Sequence, residues 1–229
     1  MARPFERAGP AGPAPASLAV REARAGDAPF LAWAIQESGR SHLDRGTWDF
    51  VLPGPEAERL DLLARLVASD AVSFCHYSGF LVGEWRGEPA AAMCGYQPAV
   101  ATAPLFLEAV GQAFGGAGWS RARIREMLAR FAPIMTCAPD PPDDAWVVEW
   151  VATAPQQRGR GHARALLEAL LERGRARDLG LAHLGLLIGN AAAQAVYERA
   201  GFRVVDERRH PDFEAAIGAP GLRLMERLL

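Results

Sequence analysis

The chain has no lysine: all 25 basic side chains among its 229 residues are arginine. A Walker-type phosphate loop ends in Gly-Lys-Ser/Thr, so that nucleotide-hydrolysing class is excluded. Cysteine is nearly as scarce. Cys75, Cys94 and Cys137 are odd in number and nowhere in C-x-x-C spacing, which argues against a disulfide framework or a zinc site and points to a reducing, cytoplasmic compartment. No segment reaches the roughly 18 to 20 apolar residues that a bilayer-spanning helix requires. A net charge of -2 and a pI near 6.2 give no general attraction to nucleic acid or to acidic membranes. Residues 1–17, MARPFERAGPAGPAPAS, lack the continuous apolar segment of a signal peptide and are too rich in Pro and Gly for a helix. They are expected to form a flexible tail, followed by one α/β domain over 18–229.

What the chain does have centres on Trp146 to Ala163, WVVEWVATAPQQRGRGHA. A hydrophobic strand (Val147, Val148, Trp150, Val151) breaks at Ala154-Pro155 and passes through Arg158-Gly159-Arg160-Gly161 into an amphipathic helix. Its apolar stripe is Ala163, Leu166, Leu167, Leu170 and Leu171. At such a junction free backbone N–H groups and the positive end of the helix dipole converge, which suits a phosphate. The dinucleotide fingerprint fits poorly, because Arg164 stands where a small residue is needed. Arg/Gln-x-x-Gly-x-Gly/Ala fits in two registers: Gln156, Gly159, Gly161 and Arg158, Gly161, Ala163. Downstream come the strand LAHLGLLIG, then Asn190, Tyr197 seven residues later, and Gly201-Phe202.

These two motifs, in this order and separation, resemble those of the GCN5-related N-acetyltransferases. The second register is preferred, because it aligns Pro155 to Ala163 with that family's pyrophosphate loop. The resemblance implies an α/β (α+β) fold with a mixed, mostly antiparallel sheet of six or seven strands, splayed after the fourth. It implies acetyl-CoA as co-substrate and a small-molecule or peptide amine as acceptor, with direct attack in a ternary complex. Backbone groups of Val151 and Thr153 would align the pantetheine arm. Arg158, Gly159, Arg160, Gly161, His162 and Ala163 would hold the pyrophosphate, with His162 contributing its backbone N–H, and Asn190 would bond the pantetheine. Glu149 would be the general base and Tyr197 the general acid. No metal or nucleic acid is implied, and a homodimer is open.

Each role has a plainer counterpart. Glu149 can be a sheet carboxylate paired with an arginine, Tyr197 a core tyrosine, and Asn190 a helix N-cap. Two other functions compete: an acyl-CoA sensor that keeps the fold without catalysis, and an Arg-rich RNA-binding module. Retention of both Glu149 and Tyr197 weighs against the first. The core-facing stripe and the absence of overall positive charge weigh against the second.

The rest of the chain is read from periodicity. Leu18 to Glu22 predicts a strand, Asp27 caps a helix to Ser38, and Pro55 to Ser69 predicts a helix burying Leu60, Leu63, Ala64 and Val67. Gly79 to Trp85 and Ala90 to Tyr96 predict a hairpin across Arg86-Gly87-Glu88. Helices over Leu105 to Phe114 and Arg121 to Phe131, the latter capped by Ser120, form an insertion at 98–144, beside the acceptor entrance by resemblance. Leu222 onward predicts a last strand after a loop, RRHPDFEAAIGAPG. By resemblance the last two strands form a hairpin flanking the acceptor side, which would bring His210, Asp212 and Phe213 near the substrate.

Overall fold

The computed structural model describes residues 18–229, so the tail expected over 1–17 lies outside the described residues. Seven strands, β1 (Ala19–Glu22), β2 (Phe80–Trp85), β3 (Glu88–Tyr96), β4 (Trp146–Thr153), β5 (Leu181–Leu187), β6 (Arg203–Arg209) and β7 (Gly221–Leu228), form one sheet ordered β1-β2-β3-β4-β5-β7-β6. Neighbours are antiparallel except β4 and β5. Nine helices accompany the sheet among the described residues: α1 (Ala28–Arg40), α2 (Thr47–Val51), α3 (Glu56–Val67), α4 (Ala103–Gly116), α5 (Arg121–Ala129), α6 (Ala132–Met135), α7 (His162–Arg175), α8 (Ala191–Arg199) and α9 (Pro211–Ile217). None is long and apolar enough to cross a membrane.

Strand alternation sorts the core onto two faces. Phe80, Val82, Ala92, Cys94 and Ala152 point to the side covered by α1 to α5. Leu81, Ala91, Met93, Trp146 and Val148 point to the other, where the α7 stripe Leu166, Leu167, Leu170 and Leu171 seals them together with Tyr197 and Phe202. Helix α7 begins at His162, because Gly161 takes the left-handed conformation (φ 81°) at the N-cap.

Helix α3 buries Leu62, Leu63, Leu66 and Val67, while Leu60 and Ala64 are only partly covered. The predicted stripe is rotated because Arg59 turns inward. Its guanidinium pairs with Asp49 at 2.8 Å and donates to Gln36 Oε1 and to the Leu52 and Gly54 carbonyls. Asp49 also binds Arg40 through both oxygens, so a buried charge gains the partners that make its burial tolerable. This network ties α1, α2 and α3 into one unit.

The insertion is helical, as the sequence predicts, with α4 packing on α3 through Ala109, Val110, Ala113 and Phe114. The expected loop before the last strand is not one. Residues 211–217 form α9, capped by His210, whose Nδ1 accepts from the Asp212 N–H at 3.2 Å, and closed by Gly218 at φ 89°. Phe213 is buried with Cys137, Leu187 and Ile217, so it is a core side chain, and His210 is engaged as a cap. The signals were present in the sequence: Pro at the first helical position and Gly just past the last.

One close approach governs how α7 lies on the sheet. Trp146 donates its indole N–H to the Leu170 carbonyl at 2.9 Å, and its ring lies against two glycines. A Cβ on Gly95 would fall 2.4 Å from Trp146 Cζ2, and one on Gly174 2.9 Å from its Cγ. Gly95→Ala is therefore expected to cost about 1–3 kcal/mol in urea denaturation. Gly111→Ala, whose Cβ would meet nothing within 4 Å in α4, should be neutral or stabilise by up to about 1 kcal/mol. Equal effects at the two positions would mean that Trp146 has room to move.

Candidate active site

Strand β4 pairs with β5 over only two positions, Trp146 with Ala182 and Val147 with His183. Beyond them β5 continues against β7, and β4 continues against β3. The edge of β4 from Val148 to Thr153 that faces β5 is therefore left without a strand partner. On its other side β4 carries an extra residue: Ala92 pairs with Ala152 and Cys94 with Glu149, two steps on β3 against three on β4. Trp150 absorbs this bulge at φ 51°, an uncommon conformation for a bulky residue. The consequence is local and specific. Glu149, opposite Cys94, and Trp150 both face the side covered by α1 to α5.

Glu149 is half-buried overall, but its Oε2 is sealed from solvent and has no hydrogen-bond partner among the described residues. Burial pushes its carboxyl up to about 7; the facing Tyr96 hydroxyl, which stabilises the charged form, opposes this. Cys75 and Cys94 lie in the same environment. Burial, then the Glu149 charge, holds both thiols well above their ordinary range, and Tyr96 is raised by the same causes. Among the described residues no arginine pairs with Glu149, which does not match the reading as a sheet ion pair. An unpaired buried carboxylate is expensive, and it is retained where something else will meet it.

At the far end of β4 the chain enters the Gly/Arg turn. Gly159 and Gly161 stand at φ 76° and 81°, and a Cβ at either would meet nothing within 4 Å. The turn is open, and it leads directly into the N-terminus of α7, so its shape and polarity suit a doubly charged phosphate group. The Arg158 Nε donates to the Thr153 carbonyl at 3.2 Å, folding this side chain back onto β4. Arg160 lies over the Trp85 ring at 5.6 Å. The His162 ring is buried 5.5 Å from Trp85, which leaves its backbone as the part facing the turn. Ala163 is partly buried behind it, and Val151 packs on the α7 side.

Tyr197 sits on that same α7 side, edge-on to Phe202 at 5.9 Å, with its phenol pushed up by burial. The two expected catalytic residues thus lie on opposite faces of the sheet. Asn190 caps α8, its Oδ1 accepting from the Ala193 N–H at 3.1 Å, while its Nδ2 donates to Ser41 Oγ at 2.6 Å. Both ends of the amide are engaged, and a pantetheine contact would have to displace Ser41. Tyr96, Cys75 and Cys94 were not identified from the sequence. Cross-strand register brings Cys94 beside Glu149, the α3–β2 connection brings Cys75, and the alternation of β3 places Cys94 and Tyr96 on one face.

The family model for the Acetyltransferase (GNAT) family matches residues 50–202, more than half of the chain. The chain belongs to the GNAT acetyltransferase family. No curated protein matches its sequence. Among solved structures it resembles an acetyltransferase at 21% identity and TM-score 0.66, covering 92% of this chain and 98% of that one. It also resembles an N-acetyltransferase from Staphylococcus aureus Mu50 at 21% identity and TM-score 0.63, covering 92% and 100%. A third is a GCN5-related N-acetyltransferase from Kribbella flavida, at 16% identity and TM-score 0.55, covering 93% and 98%. These likenesses establish the fold, a seven-stranded, mostly antiparallel GNAT sheet.

The raised Glu149 carboxyl makes stability depend on pH. Its folded value of about 7 exceeds the ordinary 4.5, so between those values the native state holds a proton that the unfolded chain has released. Stability contributed by this group falls as pH rises through that window, and the penalty is complete above about pH 7. Glu149→Gln is therefore expected to be about 2–3 kcal/mol more stable than wild type at about pH 8.5, and no more stable at about pH 4. Urea denaturation at the two pH values measures this. A constant difference would show that the carboxyl is solvated.

Proposed function

We propose that this GNAT acetyltransferase moves an acetyl group from acetyl-CoA to a primary amine by direct attack in a ternary complex. The observation that carries this reading is the orphaned Glu149 oxygen, placed by the bulge where β4 parts from β5 and upstream of an open glycine turn on the same strand. Bound acetyl-CoA would supply the activated thioester. The amides from Arg158 to Ala163 hold its pyrophosphate at the α7 N-terminus, and the unpaired edge of Val151 to Thr153 offers N–H and C=O groups to its arm as a further strand would.

An alkyl ammonium near pKa 10.4 must lose its proton before it attacks. Transfer to a carboxylate at its ordinary value is uphill by about 8 kcal/mol; raising Glu149 to about 7 cuts that to about 5 kcal/mol. Desolvation of the ammonium beside the aromatic rings narrows the gap further. Glu149 thus takes the amine proton. Tyr197, kept protonated by burial, donates toward the departing sulfur. The raised phenol is a weaker acid than a thiol of pKa about 8.5, so its aid is that of a hydrogen-bond donor rather than of complete proton transfer. Cys75 and Cys94 are poor thiolates in this setting, which disfavours a cysteine acyl-enzyme.

Gly161→Asp should nearly abolish acetyl-CoA binding in calorimetry, because a left-handed position gains a Cβ and the anion site a carboxylate. Unchanged affinity in the folded variant would remove the turn from the site. With any accepted amine, kcat/KM of wild type should rise through about pH 7, and Glu149→Gln should lose that inflection and be slowed most at low pH. Tyr197→Phe should lower kcat about ten- to a hundred-fold with acetyl-CoA affinity intact. A stability loss with kcat unchanged would make Tyr197 a packing residue only.

A further inference from the structure

Six aromatic rings form an arc that begins and ends at Glu149. Tyr96, which faces the carboxyl, lies 5.7 Å from Phe74, and Phe74 stacks on Phe106 at 4.7 Å. Phe106 meets Phe131 edge-on at 6.2 Å, Phe131 meets Trp48 at 5.8 Å, and Trp48 lies 6.1 Å from Trp150, the residue after Glu149. The Trp150 indole N–H donates to the Phe74 carbonyl at 3.2 Å and closes the circle. All but Trp48 are only partly buried, packed at the margin of the core on this sheet face. Two enclosed polar atoms in this group have no partner: Glu149 Oε2, an acceptor, and Trp48 Nε1, a donor.

The charge pattern is equally particular. Asp49, next to Trp48, is saturated by Arg40, Arg59 and Gln36, so Glu149 is the carboxylate left for a ligand in the arc. Extended polycations need several carboxylates along their length, and a peptide N-terminus needs partners for its backbone. A single carboxylate facing Tyr96, at one end of an arc of aromatic side chains, matches one ammonium carried on a flat apolar body, with the ring quadrupoles favouring the cation. Phe106 comes from α4 and Phe131 from the residue between α5 and α6, which gives the 98–144 insertion a share in choosing the acceptor.

We propose that the acceptor is an arylalkylamine, its ammonium on Glu149 and its ring among Phe74, Phe106 and Phe131. This rests on the acetyl-transfer reading above. The test uses the full chain with saturating acetyl-CoA, following CoA release with phenethylamine, spermidine and a tetrapeptide with N-terminal alanine. Quenching of tryptophan fluorescence by phenethylamine, with CoA present, reports binding at Trp48 and Trp150 without turnover. Phenethylamine is expected to exceed the other two at least ten-fold in kcat/KM. Phe106→Ala should raise its KM more than ten-fold with kcat changed less than three-fold, and Phe106→Leu should recover part of the loss. Preference for spermidine or the peptide, or an unchanged KM in folded Phe106→Ala, would overturn the aromatic acceptor and leave acetyl transfer standing. Quenching without CoA release from any amine would support the ring site and overturn the transfer reading; neither quenching nor release would overturn both.

Discussion

A strand can satisfy two neighbours along its whole length only if both keep its register, and β4 does not let them. The extra residue at Trp150 leaves β3 in place but turns the strand, and β5 is left behind after Val147. Everything chemically notable follows from that mismatch. It frees a backbone edge, it sets Glu149 and Trp150 on the same face, and it opens the centre of the sheet without a loop. The cost is a bulky residue at positive φ, on the order of 1–3 kcal/mol, and an unpaired carboxylate, both sustained by the surrounding aromatic packing.

The fold was legible where short-range chemistry is decisive. The Gly/Arg turn, the α7 stripe and the Asn190 cap are local patterns with local causes, so β4, α7, β5 and α8 could be read in order. The helical insertion was readable because Ser120 and the periodicity around Phe114 mark it. Helix α9 is hidden in the sequence because Pro211 and Gly218 read as loop residues, although together they frame a helix seven residues long. The α3 face was misplaced because an arginine was assumed to point outward. Arg59 points inward only because Asp49 and Gln36, more than eight residues away in sequence, wait for it.

The site divides along the same line. The turn is legible in spacing, and Glu149 and Tyr197 in the family resemblance that the motifs carry. Tyr96, Cys75, Cys94 and the aromatic arc are not, because their association is a matter of cross-strand register and of helices folding over one sheet face. No spacing rule links Phe74 to Phe106 or Trp48 to Trp150. The structure also shifts the emphasis for residues that were foreseen: Asn190 is occupied by a cap and by Ser41, and His162 lends its ring to Trp85 and only its backbone to the turn.

The separation of Glu149 and Tyr197 onto opposite faces has an evolutionary consequence. The glycine turn and Tyr197 belong to the α7 and α8 side, whereas the aromatic arc is built from α2, the α3–β2 connection, α4, the α5–α6 junction, the end of β3 and the bulge in β4. Substitutions in the arc can change the packing of one sheet face while the contacts of the other stay as they are. With the acceptor proposed on the arc and acetyl-CoA on the glycine turn, such a scaffold would change acceptor by changing a few rings and leave the turn untouched.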